Sequence, residues 1–198
     1  MKVIGLVGGV ASGKSLVAKE LQRLGATSLD VDGFGHEVLR EPDVITQIKE
    51  RFGTSVLDED SQVERKKLAE IVFAVDGDDD LKQLESITHP RIEQRIRTEI
   101  QRLAESKKFP AVVLDAAVML KAGWYKHCDV IVFVDCPEEL RRERALQRGW
   151  SVEQFEFRES SQISIDRKRA IANIVIDNSG GLEQTYEQVL NFWCSSLI

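Results

Sequence analysis

The apolar residues of the chain alternate between strand-like runs and helix-like spacing. A run at 3–7 leads into a glycine-rich turn, and apolar residues three and four apart then continue to Leu24. Four more strand-like runs lie at 26–31, 111–115, 129–134 and 174–176. Strands separated by helices in this order predict an α/β protein with a parallel five-stranded sheet and right-handed crossovers.

Residues 34–104 carry helical spacing and no convincing strand, with a helix end predicted at His89-Pro90 because proline disrupts a helix interior. Another helical segment follows the fourth strand. We therefore predict a single domain over 1–198 that contains a helical insertion and a small helical lid. Its expected parts are a core of about 1–32, 105–137 and 170–198, a helical lobe of about 33–104 and a lid of about 138–169.

The glycine-rich turn from Gly8 to Ser15 has the spacing G-x-x-x-x-G-K-S, which is typical of a phosphate-binding loop. Glycine lets the backbone curl until several N–H groups face one anion, and the following helix adds the positive end of its dipole. Lys14 can reach the β- and γ-phosphates of a nucleotide, and the Ser15 hydroxyl can hold Mg²⁺. The predicted nucleotide contacts are Gly8, Gly9, Val10, Ala11, Ser12, Gly13, Lys14, Ser15 and Leu16.

Carboxylates close two of the predicted strands. Alternation along the second strand places Asp30 and Asp32 on one face, near the crevice where open α/β sheets bind ligands. On local sequence alone, a ligand role and a loop or capping role are equally favoured for this pair. Asp115 closes the third strand, where P-loop enzymes hold Mg²⁺ directly or through water. A turn or a helix cap is the alternative for Asp115.

The helix after the fourth strand is densely basic, with Arg141, Arg142, Arg144 and Arg148. Charged helices usually face water. This helix follows a strand end, however, and Arg144 and Arg148 lie one turn apart. The pair can therefore clamp phosphates from above as part of a mobile lid.

Charge and cysteine content narrow the class of partner and the compartment. A net charge of −6 disfavours general nucleic-acid binding, since neutralising phosphates requires a basic surface. Three widely spaced cysteines form neither a disulfide framework nor a C-x-x-C metal pair. The sequence shows neither a membrane-spanning apolar run nor a signal-peptide pattern. We expect a soluble, cytoplasmic protein with a small-molecule substrate, and the sequence leaves its oligomeric state open.

Taken in order, these motifs resemble those of the dephospho-coenzyme A kinase family along nearly the whole chain. The resemblance begins with the glycine-rich loop and with Asp30-Val31-Asp32. It continues through Phe52-Gly53, Asp60-Ser61, Arg65, Leu68, Val72-Phe73, Leu84-Glu85, His89-Pro90, Ile92, Arg158, Gln162 and Val175-Ile176-Asp177-Asn178. The loop alone indicates only a P-loop NTPase with a three-layer α/β/α fold, whereas the ordered set is far more specific.

The resemblance implies transfer of the ATP γ-phosphoryl group to the ribose 3′-hydroxyl of dephospho-coenzyme A, with Mg²⁺ as cofactor. Asp32 would accept the proton of that hydroxyl, since it lies nearer the strand end than Asp30 and matches the family's base. Lys14, Arg144 and Arg148 would offset the charge that develops during transfer.

Further roles are implied for residues outside the loop. Asp177 and Asn178 would border the adenine. Arg65 and His89 lie in the helical insertion, where the family binds its substrate, although structural pairing or capping is at least as good an explanation for both.

The chain departs from the family at several positions. Lys121 stands where the family usually has Glu, so no role of that Glu is carried over. Ser61 and Asn173 replace a frequent Gly and Asp, while Ala11 and Leu16 replace a common Gly and Thr in the loop. The loop changes remove no phosphate ligand.

Two rival functions stay open on sequence grounds. A kinase of the same superfamily for a nucleoside or nucleoside monophosphate would differ in the acceptor that it consumes. A GTPase-like switch would need guanine selection, for which N-K-x-D after a strand is expected, and the sequence contains none.

Overall fold

The computed structural model describes residues 1–74 and 77–197. Within them five strands form one sheet, in which each neighbouring pair is parallel and the spatial order is β2-β3-β1-β4-β5. The strands are β1 (Lys2–Gly8), β2 (Thr27–Ser28), β3 (Ala111–Leu114), β4 (Val130–Asp135) and β5 (Ile174–Asp177). The predicted parallel five-stranded sheet is confirmed.

Helices occupy the segments of the chain between the strands, and one follows the last strand. They are α1 (Lys14–Arg23), α2 (Val31–Val38), α3 (Pro42–Phe52), α4 (Arg65–Val72), α5 (Asp78–Ser106), α6 (Glu138–Gln147), α7 (Val152–Ser160), α8 (Ile165–Ala170) and α9 (Leu182–Leu197). In the described part of the chain, no helix has the length and apolar character needed to cross a membrane.

The middle strand, β1, is buried from Val3 to Gly8, as expected for a parallel strand that is covered on both faces. Ile4 and Leu6 belong to one apolar cluster with residues of the helices that flank the sheet. The helical members of this cluster include Val17, Leu21, Val189, Phe192 and Trp193. Because β3 and β4 pair with β1 on its two sides, the turn that follows Gly8 starts from the central strand of the sheet.

The contacts of the chain divide it into two compact units, residues 1–29 with 99–198 and residues 30–98. The first unit contains the sheet. In the second unit, Arg95 binds Glu37 at 2.5 Å and Glu41 at 2.6 Å. These ion pairs tie α5 to α2 and to the residue that precedes α3.

The prediction that Asp30 and Asp32 share a strand face is wrong. Strand β2 ends at Ser28, and Asp30 is instead the N-cap of α2, accepting a hydrogen bond from the Gly33 N–H at 2.8 Å. Asp32 lies in the first turn of that helix. An Asp side chain that bonds the backbone three residues later satisfies a helix start, and this local bond outcompetes further strand pairing.

The predicted helix break at His89-Pro90 is also wrong, since α5 runs through Pro90 without interruption. Proline inside a helix costs about 3 kcal/mol because it removes a backbone hydrogen bond and crowds the preceding turn. Pro90 is exposed, so water can solvate the freed carbonyl, while Thr88, Ile92 and Ile96 continue the buried face at four-residue spacing. Burial of that face offsets the proline.

Candidate active site

The glycine-rich loop between β1 and α1 has a backbone that only glycine fits at two positions. Gly13, the N-cap of α1, has φ 102°, and a Cβ there would overlap the Asn178 carboxamide. A Cβ on Gly8 would lie 2.6 Å from the Ser12 Oγ and 2.7 Å from the Val134 carbonyl oxygen. The first and last glycines of the motif are therefore required by geometry.

Ala11 takes a backbone conformation that favours glycine. Its φ is 58°, in the left-handed region that costs an L-residue about 1–2 kcal/mol. The loop keeps the required curl in spite of the alanine. The side chain changes the strain of the loop and leaves its peptide N–H groups in place.

The loop carries unsatisfied polar groups that suit an anion. The N-terminus of α1 has no side-chain cap within the described residues, so the first-turn N–H groups and the helix dipole point out of the helix. The Ser12 Oγ is buried and lacks a hydrogen-bond partner in the described part of the chain. The Lys14 ammonium donates to the Gly9 carbonyl oxygen at 3.3 Å. These groups fit the phosphates of a nucleotide.

Four charged side chains act on the Lys14 ammonium. Burial lowers the pKa of Lys14, the carboxylates of Asp115 and Glu159 act to raise it, and the guanidinium groups of Arg141 and Arg148 act to lower it. All four groups therefore lie within electrostatic range of the loop. Asp115 and Arg148 are two of the residues that the sequence selected.

The predicted magnesium ligands have the chemistry that Mg²⁺ needs. Ser15 is exposed in the first turn of α1, and Asp115 directly follows β3, whose Leu114 pairs with Gly5 of β1. No cluster of three or more His, Cys, Asp or Glu side chains that could hold a metal occurs among residues 1–74 and 77–197. Mg²⁺ usually takes one or two carboxylates together with substrate phosphates and water, so these residues fit an ion that the nucleotide completes.

Asn178 and Arg144 brace the loop from the side of β5. The buried Asn178 donates from Nδ2 to the Ser12 carbonyl oxygen at 2.7 Å and accepts from Thr185 at 2.9 Å. The Arg144 guanidinium donates to the Asn178 carbonyl oxygen at 2.9 Å and to the Cys136 sulfur at 3.2 Å. Both residues thus hold the loop in shape.

Asp177, the neighbour of Asn178, closes β5 on an exposed turn. Its carboxylate accepts a hydrogen bond from the Ser179 backbone N–H at 2.8 Å. Hydrogen bonds from the Ser179 side chain and backbone lower the pKa of Asp177. The ionised form is therefore favoured.

Three predicted site residues belong to the unit formed by residues 30–98. Asp32 occupies the first turn of α2, Arg65 is the first residue of α4, and His89 lies within α5. Their roles toward a substrate stay predictions.

The sequence did not single out three residues that reach the loop. Arg141 is 4% exposed, and its guanidinium lies where a Cβ on Gly9 would be. Glu159 of α7 accepts a hydrogen bond from the Val10 N–H. Lys168 of α8, also 4% exposed, donates to the Gly8 carbonyl oxygen at 3.2 Å and to Gln162 at 2.7 Å. The sequence named Arg141 among the arginines of a basic helix but selected Arg144 and Arg148 there, and no local pattern marks the other two.

Lys168 makes a testable contribution to stability. Burial, followed by the charge of Lys14, lowers the pKa of Lys168 to about 8. The unfolded chain therefore binds the lysine proton more tightly, and the free energy of unfolding contributed by this group rises with pH between about 8 and 10.5. Relative to Lys168→Met, the wild-type protein should gain about 2 kcal/mol between pH 7 and pH 10.

Urea unfolding of both proteins across this pH range measures the difference. The same substitution at the exposed Lys19 of α1 is the control. Parallel stability curves for wild type and Lys168→Met would contradict the prediction.

A parallel sheet whose central strand enters a glycine-rich anion loop and a helix defines a P-loop nucleotide-binding protein. The family model "Dephospho-CoA kinase" matches residues 2–184. A dephospho-CoA kinase of Aquifex aeolicus is 40% identical over 190 residues, covering 96% of this chain and 94% of the relative. The chain therefore belongs to the dephospho-CoA kinase family.

Solved structures agree with this fold. The crystal structure of TT1252 from Thermus thermophilus has a TM-score of 0.82 at 29% identity, covering all of this chain and 98% of that one. A dephospho-CoA kinase from Campylobacter jejuni has a TM-score of 0.64 at 24% identity, with 98% and 96% covered. At that identity the second likeness concerns the fold alone.

Proposed function

We propose that this protein transfers the γ-phosphoryl group of ATP to the ribose 3′-hydroxyl of dephospho-coenzyme A, giving coenzyme A and ADP. The observation that carries the proposal is the family match over residues 2–184, which includes both the phosphate-binding loop and the unit of residues 30–98. The reaction is the last step in the synthesis of coenzyme A.

The nucleotide half of the proposal is supported by the loop. Peptide N–H groups at the start of α1, the free Ser12 hydroxyl and the Lys14 ammonium would bind the phosphates. Ser15 and Asp115 would hold Mg²⁺, which neutralises charge on the β- and γ-phosphates when bound. Arg148 would approach the transferred group, since its charge already acts on Lys14.

For the acceptor, we assign the helical lobe of about 33–104 to dephospho-coenzyme A, with Arg65 and His89 as contacts. Residues 138–169 would form a lid over the nucleotide. A free alcohol is a poor nucleophile. Asp32 would orient the 3′-hydroxyl and take its proton as transfer proceeds.

The three cysteines are all free thiols, which fits a reducing compartment. They are Cys128, Cys136 and Cys194. A cytoplasmic location is part of the proposal.

Incubation of the purified protein with Mg-ATP and dephospho-coenzyme A tests the proposal directly. We expect equimolar coenzyme A and ADP, separated by chromatography. Parallel reactions with nucleoside monophosphates as acceptors and with GTP as donor test the two rival functions. Turnover of a nucleoside monophosphate without turnover of dephospho-coenzyme A would reject the proposed acceptor.

A further inference from the structure

The carboxylate of Glu159 binds the backbone of the phosphate-binding loop. Oε2 of Glu159 accepts a hydrogen bond from the Val10 backbone N–H at 3.0 Å and pairs with the Arg141 guanidinium at 2.8 Å. The Arg141 guanidinium is fixed by further bonds to the carbonyl oxygens of Cys136 and Val10. An acidic side chain is thus bound by a peptide N–H of the loop and by a buried guanidinium.

Two ammonium groups complete the surroundings of this carboxylate. Lys14 donates to the Gly9 carbonyl oxygen, and Lys168 donates to the Gly8 carbonyl oxygen, on consecutive residues of the loop. Burial lowers the pKa of both lysines, and the negative charge of Glu159 acts on both in the opposite direction. One peptide N–H and one guanidinium therefore bind Glu159, and two ammonium groups bind the adjoining residues of the loop.

The surroundings also show which nucleotide phosphate Glu159 would meet. Lys14 is the loop residue that reaches the β- and γ-phosphates. Its ammonium binds the carbonyl oxygen of Gly9, next to the Val10 N–H that holds Glu159, so this carboxylate lies toward the terminal end of a bound triphosphate. A carboxylate beside a bound phosphate oxygen disfavours it, since like charges at short distance repel. The Val10 N–H also has only one proton to give. Binding of one anion therefore weakens binding of the other.

We propose that Glu159 holds the place of a terminal nucleotide phosphate, and that ATP binds by displacing this carboxylate from Val10 and Arg141. Arg141 then passes from the carboxylate to the phosphate as a ligand that the loop motif does not contain. Glu159 thereby sets how strongly the loop distinguishes nucleotides by their number of phosphates. This inference rests on the proposed nucleotide site.

The expected change in nucleotide affinity follows from competition between the Glu159 carboxylate and the nucleotide phosphate. A loop that its own carboxylate occupies about nine-tenths of the time loses about tenfold in apparent affinity for a ligand that needs the same donors. AMP does not reach the terminal end of the loop and escapes this penalty. A purely structural Arg141–Glu159 pair would have the opposite effect, since breaking it would loosen the loop and weaken nucleotide binding.

Titration calorimetry with Mg²⁺ and β,γ-methylene-ATP, ADP or AMP tests the proposal on the intact protein. Glu159→Gln should bind the triphosphate analogue on the order of tenfold more tightly than wild type, with AMP affinity unchanged. Glutamine keeps the volume and an acceptor oxygen for the Val10 N–H, and Glu159→Ala should shift affinity in the same direction. Glu156→Gln is the matched control, because Glu156 is an exposed carboxylate on the same helix whose partner is Arg142 at 3.4 Å.

The outcomes separate this proposal from the proposed function. Equal or weaker binding of the analogue by both Glu159 variants overturns the displacement model while wild-type kinase activity stands. An equal gain in Glu156→Gln would trace the effect to net charge and also overturn it. Failure of the wild-type protein to bind any of the three nucleotides would remove the proposed function itself.

Discussion

Replacing Asp32 by Asn is expected to lower kcat for coenzyme A formation by about 10³-fold while ATP affinity stays near the wild-type value. A general base typically contributes 10²–10⁴-fold, and the isosteric amide keeps the shape of the side chain while losing its basicity. Asp32 lies in the first turn of α2, where a carboxylate is also favoured by the helix dipole.

Steady-state kinetics with dephospho-coenzyme A and calorimetry with ATP measure the two quantities separately. Asp30→Asn is the matched control, because asparagine caps a helix as well as aspartate does and the bond to the Gly33 N–H can persist. We expect that variant to keep most of its activity. Equal losses of ATP binding and turnover in Asp32→Asn would mark Asp32 as structural.

Arg148→Gln is expected to lower kcat by about 10³-fold with a small change in ATP affinity, the behaviour of an arginine that stabilises charge during phosphoryl transfer. Arg148 ends α6, and its charge acts on the Lys14 ammonium. Its charge therefore acts at the residue that reaches the β- and γ-phosphates.

Arg144→Gln should behave differently, although sequence spacing alone cannot tell the two arginines apart. Arg144 holds the Asn178 carbonyl oxygen and so braces the loop through the bond from Asn178 to Ser12. We expect a higher Kd for ATP and a lower melting temperature, with kcat at saturating ATP reduced much less than in Arg148→Gln. The reverse pattern of the two variants would assign the charge-stabilising role to Arg144.

The phosphate-binding loop and the sheet around it could be predicted because their determinants are local. The spacing from Gly8 to Ser15, between an apolar run and a helical pattern, is complete within about twenty residues. Gly13 shows the physical basis, since its φ of 102° disfavours any residue with a Cβ, whatever surrounds the loop. The order of strands and helices likewise specified a parallel sheet through the crossover rule.

Predictions failed where two local preferences compete. Strand alternation placed Asp30 and Asp32 on a strand, but a capping bond to Gly33 starts α2 earlier. Proline at position 90 favours a helix end, yet the buried face carrying Ile92 and Ile96 continues α5 through it. In both places a tertiary or capping interaction of a few kcal/mol exceeds the local preference.

The sequence by itself determined the nucleotide-binding loop, because its residue types lie at short, fixed spacing. It also determined the class of fold and the family, because each depends on the order of motifs along the chain. The tertiary structure alone decided which further charges, beyond Asp115 and Arg148, surround the loop. Glu159 is 149 positions from Val10, and Lys168 is 160 positions from Gly8. On a helix that could equally face water, only tertiary packing selects the few side chains that turn toward the loop.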